Sequence, residues 1–145
     1  MYANKATAQL MGYSPDAVVG KNFLPFIAAD RIEETAEHFG RVAQGHTVQY
    51  ETAIVTADGR RVEMHITVIP ILVDGVVRGV HCIGKDITEV TRMRQALHDL
   101  AYRDAVTGLS NSNALLAALG REIAAGTPFD VLEIDLDRLK VVNDT

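Results

Sequence analysis

The sequence predicts an α+β protein in which short helices precede an antiparallel sheet, and a single helix then leads into the start of an α/β domain. Three features predict this arrangement. Apolar residues recur at helical spacing up to Gly45 and at every second position after it. Asp58-Gly59 and Asp74-Gly75 divide the alternating region as hairpin turns do. The helical period returns near residue 89, and residues 131–145 combine an apolar strand with a cluster of acids.

Two short helices are predicted at the start of the chain. The first covers residues 4–12, with Gly12 placed to end it. In the second, Ser14 serves as the N-cap and Pro15 as the first helical residue, because proline tolerates the position that lacks an intrahelical N–H partner. Gly20 ends this helix.

A third helix is predicted from Asp30 to near Gly45. Asp30 is followed three residues later by Glu33, the arrangement of a capping box in which each side chain satisfies a backbone N–H of the other residue. The side chains expected to face the core recur at helical spacing. They are Ile32, Thr35, Ala36 and Phe39.

Three antiparallel strands are predicted to follow as a meander. Apolar and polar residues alternate in the first two strands, which predicts one buried face. The third strand covers residues 76–85. The residues predicted to share the buried face are Val48, Tyr50, Thr52 and Ile54 in the first strand and Val62, Met64, Ile66 and Val68 in the second.

Several short motifs in this region occur in a characteristic order. They are Asn4-Lys5-Ala6, Leu10-Met11-Gly12-Tyr13, Gly20-Lys21, Asp58-Gly59 and Asp86-Ile87-Thr88-Glu89. Together they resemble a PAS sensory domain, which implies such a domain over residues 1–88. A PAS sheet has two strands ahead of its first helix, and only residues 1–3 precede that helix here. The resemblance therefore implies a domain that lacks its first strands.

PAS domains often enclose a small pocket between sheet and helices, and the sequence leaves its ligand open. His38 and His46 are the candidates for a haem axial ligand, although histidines satisfied in other ways are far commoner than ligands. His65 and His81 fall on strands without a partner at metal-ligand spacing, which favours structural roles. Cys82 is outside the context of a flavin-reactive cysteine and is predicted to be a small buried hydrophobe.

A linker helix is predicted over residues 89–103. Its apolar residues follow the spacing of a coiled-coil seam and predict a homodimer. An amphipathic helix that lies on its own domain is the alternative. His98 is expected to be solvated. In PAS domains that control an attached enzyme, a motif like Asp86-Ile87-Thr88 joins the last strand to such a helix. The seam residues are Val90, Met93, Leu97 and Leu100.

The remaining residues, 104–145, contain two further motifs. Asp104-Ala105-Val106-Thr107-Gly108-Leu109-Ser110-Asn111 is followed by a strand at residues 131–136 and the acidic cluster. Both resemble the N-terminal portion of a GGDEF domain, the diguanylate cyclase family, with a cyclase-like βαββαβ fold. The resemblance implies that Asp135 and the Leu136 carbonyl bind Mg²⁺, that Lys140 contacts phosphate, and that Asn143 hydrogen-bonds guanine.

The combined resemblance implies a sensory and signal-transducing fragment of a bacterial cyclic di-GMP turnover protein. Its PAS input would control a GGDEF output that condenses two GTP into cyclic di-GMP, while the fragment alone, with an incomplete site, would be inactive. Ser112 and Asn113 stand where the family usually has arginine, and Leu139 where it has phenylalanine. These departures favour an alternative, a degenerate GTP-binding GGDEF that regulates a downstream EAL phosphodiesterase. A PAS dimerisation module without ligand is a second alternative.

Composition limits the other classes of function. The 145 residues carry a net charge of −5 with scattered Lys and Arg, so we expect no nucleic-acid partner. A single cysteine suits a reducing compartment. No apolar run reaches the length of a membrane span, so we expect a cytoplasmic location and no membrane contact in this segment.

Overall fold

The computed structural model describes residues 3–134. The chain divides into two compact units, the first ending at Gln95 and the second beginning at Ala96. In the first unit, helices α1, α2 and α3 precede strands β1, β2 and β3. Helix α4 begins in the first unit and ends in the second, which also contains α5. The bounds are α1 Lys5–Met11, α2 Pro15–Val18, α3 Ile32–Ala43, β1 Val48–Val55, β2 Arg61–Val73, β3 Val76–Asp86, α4 Thr88–Tyr102 and α5 Ser112–Ala125.

The predicted end of the first helix at Gly12 and the predicted start of the second at Pro15 are confirmed. Asn4 caps α1, its side-chain oxygen accepting a hydrogen bond from the Thr7 backbone N–H at 2.8 Å. Gly12 ends α1 in the left-handed conformation with φ of 71°. Helix α2 is a single turn that begins at Pro15 as predicted.

The start of α3 differs from the predicted capping box. Asp30 lies in a 3₁₀ turn, Ala29–Arg31, and α3 begins at Ile32 without a side-chain cap. The Asp30 carboxylate instead accepts two hydrogen bonds from Arg61, at 2.7 and 3.1 Å. A bidentate bond to a guanidinium is stronger than one bond to a backbone N–H, so the long-range partner displaces the local one.

The core-facing side of α3 is also shifted from the predicted one. Thr35 and Val42 are buried and Phe39 is half-buried, whereas Ile32 and Ala36 are exposed. The buried positions still follow the helical period, since three and four residues separate them. The prediction is confirmed for Thr35 and Phe39 and wrong for Ile32 and Ala36.

The described strands form an antiparallel sheet in the order β1-β2-β3. Residues predicted to share a face are paired across it, with Val48 opposite Val68 and Thr52 opposite Met64. At the β2–β3 turn, Asp74 and Gly75 both have positive φ, 51° and 75°, as a tight hairpin turn requires. The predicted meander, its turns and its buried face are confirmed.

The core lies in the first unit and has two clusters of buried side chains. One lies between α1, α2 and the ends of β1 and β2, and the other between α3 and the same two strands. Its buried members are Ala3, Met11, Val18, Phe26, Ile54, Val62 and Met64 in the first cluster and Val42, Val48, Tyr50 and Val68 in the second.

Cys82 is exposed, so the prediction that it is buried is wrong. It lies on β3 opposite Val68, which is fully buried. Within residues 3–134, β3 pairs with β2 on one side only, and α3 packs on β1 and β2. The position of a strand across the sheet therefore decides burial here. No helix in the same range is long and apolar enough to cross a membrane.

Candidate sensory face and output junction

Aromatic rings cover the face of the sheet on which α3 packs. The His38 ring stacks on Tyr50 with centroids 4.2 Å apart and planes at 22°. Next to it, Phe39 stacks on Phe23 at 4.3 Å and 23°. The adjacent His38 and Phe39 thus each contact a ring from outside α3. We call these four residues the aromatic face.

The aromatic face contains polar atoms held away from water. Burial raises the pKa of Tyr50 to about 12, so its phenol is neutral at physiological pH. The His38 Nδ1 atom is buried and has no hydrogen-bond partner among the residues that the structure describes. Beside the rings, the buried Thr35 and Thr52 hydroxyls lie 3.2 Å apart and bond to each other.

The predicted haem-ligand candidates occupy different environments. His38 belongs to the aromatic face, whereas His46 is exposed in the turn after α3, where its N–H donates to the Arg41 carbonyl. His65 and His81 lie on β2 and β3 as predicted. Within residues 3–134, no three His, Cys, Asp or Glu side chains are grouped so that they could hold a metal ion.

An open recess of about 600 Å³ lies beside α1 and α2. Its lining includes Lys5, Gln9, Tyr13 and Asp16, and it takes none of its residues from the sheet. The recess is therefore separate from the aromatic face. It also does not lie between the sheet and the helices, which is where the PAS resemblance implies a ligand pocket.

The exit from the sheet is a tight junction built on Asp86, Ile87 and Thr88. The Thr88 N–H donates to the Asp86 carboxylate at 2.8 Å. Glu63 of β2 bonds both Ile87 and Thr88. Its N–H donates to Thr88 Oγ1, and its carbonyl accepts from the Ile87 N–H, each at 2.9 Å. Hydrogen bonds from Thr88 lower the pKa of Asp86. The start of α4 is thus attached to β2 as well as to β3.

The predicted seam lies along α4. Each of its apolar residues is more than half exposed, from 51% for Val90 to 78% for Leu100. His98 is exposed as predicted, and its ring lies 4.9 Å from that of Tyr102. A row of exposed apolar side chains on one helix is the feature expected of a surface that binds another helix.

A compact polar loop follows α4. The Asp104 carboxylate accepts hydrogen bonds from the N–H groups of Val106 and Thr107 and from the Thr107 hydroxyl, at 2.8–3.2 Å. These bonds lower the pKa of Asp104. Gly108 has φ of 70° and donates its N–H to the Asp104 carbonyl.

Asn111 fastens this loop to the helices on both sides. Its side-chain N–H₂ donates to the carbonyls of Ala101 and Arg103, and its oxygen accepts from the Ala114 N–H, which caps α5. Helix α5 was not predicted, although Asn111 before it and Gly126 after it are typical cap residues. The Asp30–Arg61 pair and the Phe23–Phe39 stack were not predicted either.

The predicted nucleotide and metal residues, Asp135, Leu136, Lys140 and Asn143, lie outside the described residues. Their roles stay predictions from the GGDEF resemblance.

The sheet, the helices packed on one of its faces and the junction at its exit define a sensory domain of the PAS class. Residues 1–92 match the family model described as PAS fold, and the chain belongs to this family. A solved PAS domain from Colwellia psychrerythraea is similar, with a TM-score of 0.54 and 26% identity over 61% of this chain and 77% of that one. The predicted PAS domain and its α+β fold are confirmed.

Two curated relatives work in cyclic di-GMP metabolism by name. A diguanylate cyclase from Vibrio cholerae is 29% identical over 152 residues, covering 99% of this chain and 47% of the relative. The cyclic di-GMP phosphodiesterase PdeR from Escherichia coli is 42% identical over 65 residues, covering 43% of this chain and 10% of the relative. The chain thus spans less than half the length of either relative.

Proposed function

We propose that this chain is the sensory and signal-transducing part of a bacterial cyclic di-GMP turnover protein. Its PAS input controls a GGDEF output that condenses two GTP into cyclic di-GMP. The match to a diguanylate cyclase over 99% of the chain carries this proposal, because it continues beyond the PAS residues into the polar loop and the acidic tail.

The junction supports the transducing role. The Glu63 N–H donates to Thr88 and the Glu63 carbonyl accepts from Ile87, and these bonds attach the start of α4 to β2, a strand on which α3 also packs. A ligand that binds at the aromatic face changes the packing of α3 against β2. The change then reaches α4 through groups in direct contact.

The apolar row on α4 supports a homodimer. Burying one such side chain against a second copy contributes about 1–3 kcal/mol, so the four on each helix favour association. Each subunit of the dimer supplies one GTP to the condensation.

In the output half, Asp135 and the Leu136 carbonyl would hold Mg²⁺, Lys140 would contact phosphate, and Asn143 would select guanine. The bound metal supplies positive charge that stabilises the phosphates during transfer. The carboxylate and carbonyl oxygens suit this hard cation.

The test uses the full-length parent protein, with GTP and Mg²⁺, and measures cyclic di-GMP. Asp135→Asn should abolish synthesis, because a neutral amide replaces a charged ligand. Asp130→Asn, a nearby exposed acid to which we assign no role, is the matched control. Normal synthesis by the Asp135 variant would disprove its role as ligand.

A separate experiment tests the dimer. Leu97→Glu with Leu100→Glu should lower dimer affinity by more than ten-fold, since charge in a seam opposes burial. Leu116→Glu on α5, at a similarly exposed leucine, is the control. An unchanged sedimentation profile for the doubly charged protein would exclude this interface.

A degenerate GGDEF that binds GTP and activates an EAL phosphodiesterase is the second candidate. The 42% identity to a phosphodiesterase and the Ser112 and Asn113 departures favour it. In this case the parent binds GTP without condensing it and hydrolyses cyclic di-GMP faster when GTP is present. Asp135→Asn would then weaken GTP binding and remove the stimulation.

A further inference from the structure

Arg61, the first residue of β2, joins two parts of the PAS domain. Its terminal nitrogens donate to both carboxylate oxygens of Asp30, at 2.7 and 3.1 Å. Its Nε donates to Glu63 Oε1 at 2.7 Å. All three guanidinium nitrogens are therefore engaged, and one planar group fixes the positions of two carboxylates.

The two carboxylates belong to segments with different roles. Asp30 lies in the turn that leads directly into α3, the helix that supplies His38 and Phe39 to the aromatic face. Glu63 holds the start of α4, because its backbone bonds both Ile87 and Thr88. Two sets of hydrogen bonds, one made by the side chain of Glu63 and the other by its backbone, thus connect the start of α3 to the start of α4 through this residue.

We propose that Arg61 is a positioning residue that couples the location of α3 to the attachment of the linker helix. When α3 moves with Asp30, the guanidinium cannot keep both partners, since its donors are fixed in one plane. The Glu63 side chain then loses its bond to Arg61, and the bonds of the Glu63 backbone to Ile87 and Thr88 open more often. The device lies wholly within the first unit and operates whether or not the proposed output is correct.

The neighbouring charges provide an internal control. The Arg31 Nε atom lies 3.7 Å from Asp30 Oδ2, and the Arg31 guanidinium donates to Glu34 Oε2 at 2.9 Å. These partners all lie at the start of α3, and none belongs to the sheet. Glu34→Gln therefore removes a comparable exposed pair from the same turn. It leaves the bonds of Arg61 in place.

The test measures hydrogen exchange of backbone amides by NMR in the 145-residue chain. Asp30→Asn and Arg61→Lys should each make the Ile87 and Glu63 amides exchange about three-fold faster, the size expected from loss of an exposed ion pair. Both amides lie in the junction, and Asp30 is 57 residues before Ile87. The slowest amides of β1 and the Glu34→Gln variant should show no change.

Four results would overturn the proposal. The junction amides could keep their rates in both variants, which would make the pair local. The β1 amides could accelerate equally, which would indicate a general loss of stability. Glu34→Gln could have the same effect, which would assign it to the start of α3 as a whole. Thr88→Val combined with Asp30→Asn adds a cycle, and additive effects on the Ile87 rate would likewise contradict coupling.

Discussion

Different interactions stabilise the interior of each of the two units. The first has buried apolar clusters between its helices and its sheet. In the second, no residue from 96 to 134 is buried, and its specific contacts include the hydrogen bonds of the polar loop around Asp104 and Asn111. The first unit should therefore respond most to changes in packing, and the second to loss of single hydrogen bonds.

The largest effect is expected from removing a buried side chain of the first unit. Val68 is fully buried in the core, and Val68→Ala should lower the free energy of unfolding by about 2 kcal/mol through lost burial and a residual cavity. Leu116→Ala in α5, at an exposed position, should change it by less than about 0.5 kcal/mol. Urea unfolding followed by tyrosine circular dichroism measures both. Equal losses would remove the contrast between the units.

A smaller effect is expected at the buried hydroxyl pair. Thr35→Val or Thr52→Val alone should cost about 1.5 kcal/mol, because the remaining hydroxyl loses its partner away from water. The double variant should cost less than the sum, since neither polar group is left unpaired. The same urea titration gives the three values, and strict additivity would show that the hydroxyls do not depend on each other.

In the second unit, Asn111→Ala should cost about 1 kcal/mol locally, because it removes the cap of α5 and two bonds to carbonyls. Exchange of the Ala114 amide should accelerate about five-fold while β1 amides are unchanged. Asn113→Ala is the control, as that side chain makes one bond, at 3.3 Å, to the Ala101 carbonyl. Acceleration in β1 would show that the units are not independent.

The smallest effect is expected from acid. Hydrogen bonds from Thr56 and Arg60 lower the pKa of Asp58 from 3.8 to about 2, and the pKa of Asp104 is lowered by Thr107. Because both folded values lie below the unfolded ones, their contribution is complete above about pH 4 and lost as the pH falls through the lowered pKa. Thermal melts should be constant from pH 7 to 5 and fall towards pH 2. Asp58→Asn should reduce this fall.

The sheet could be predicted from sequence because its signals are local. Alternation specifies which face is buried, and Asp-Gly pairs specify where the chain turns. The signals of helix α5 are equally local, since Asn111 and Gly126 are typical cap residues at its two ends.

Other features depend on residues that the chain brings together from afar. Asp30 has the sequence pattern of a helix cap, but its carboxylate accepts hydrogen bonds from Arg61, 31 residues away. The exposure of Cys82 depends on which strands lie beside β3, and the sequence of β3 alone does not predict its neighbours. The stack of His38 on Tyr50 likewise depends on how α3 is rotated about its axis. The buried residues of α3 differ from the predicted ones, which indicates that packing against the sheet determines this rotation.

The meander has a consequence for the speed of folding. Each described strand pairs with its neighbour in sequence, and β2 and β3 are joined by a turn of two residues, Asp74 and Gly75. Little chain entropy is lost before such a hairpin gains its contacts, so it is expected to form within about 10 μs. Docking of α3 then completes the core at modest sequence separation, which places the whole process on the order of milliseconds. A sensor assembled in this way can reach its folded state while later residues of the same chain are still being synthesised.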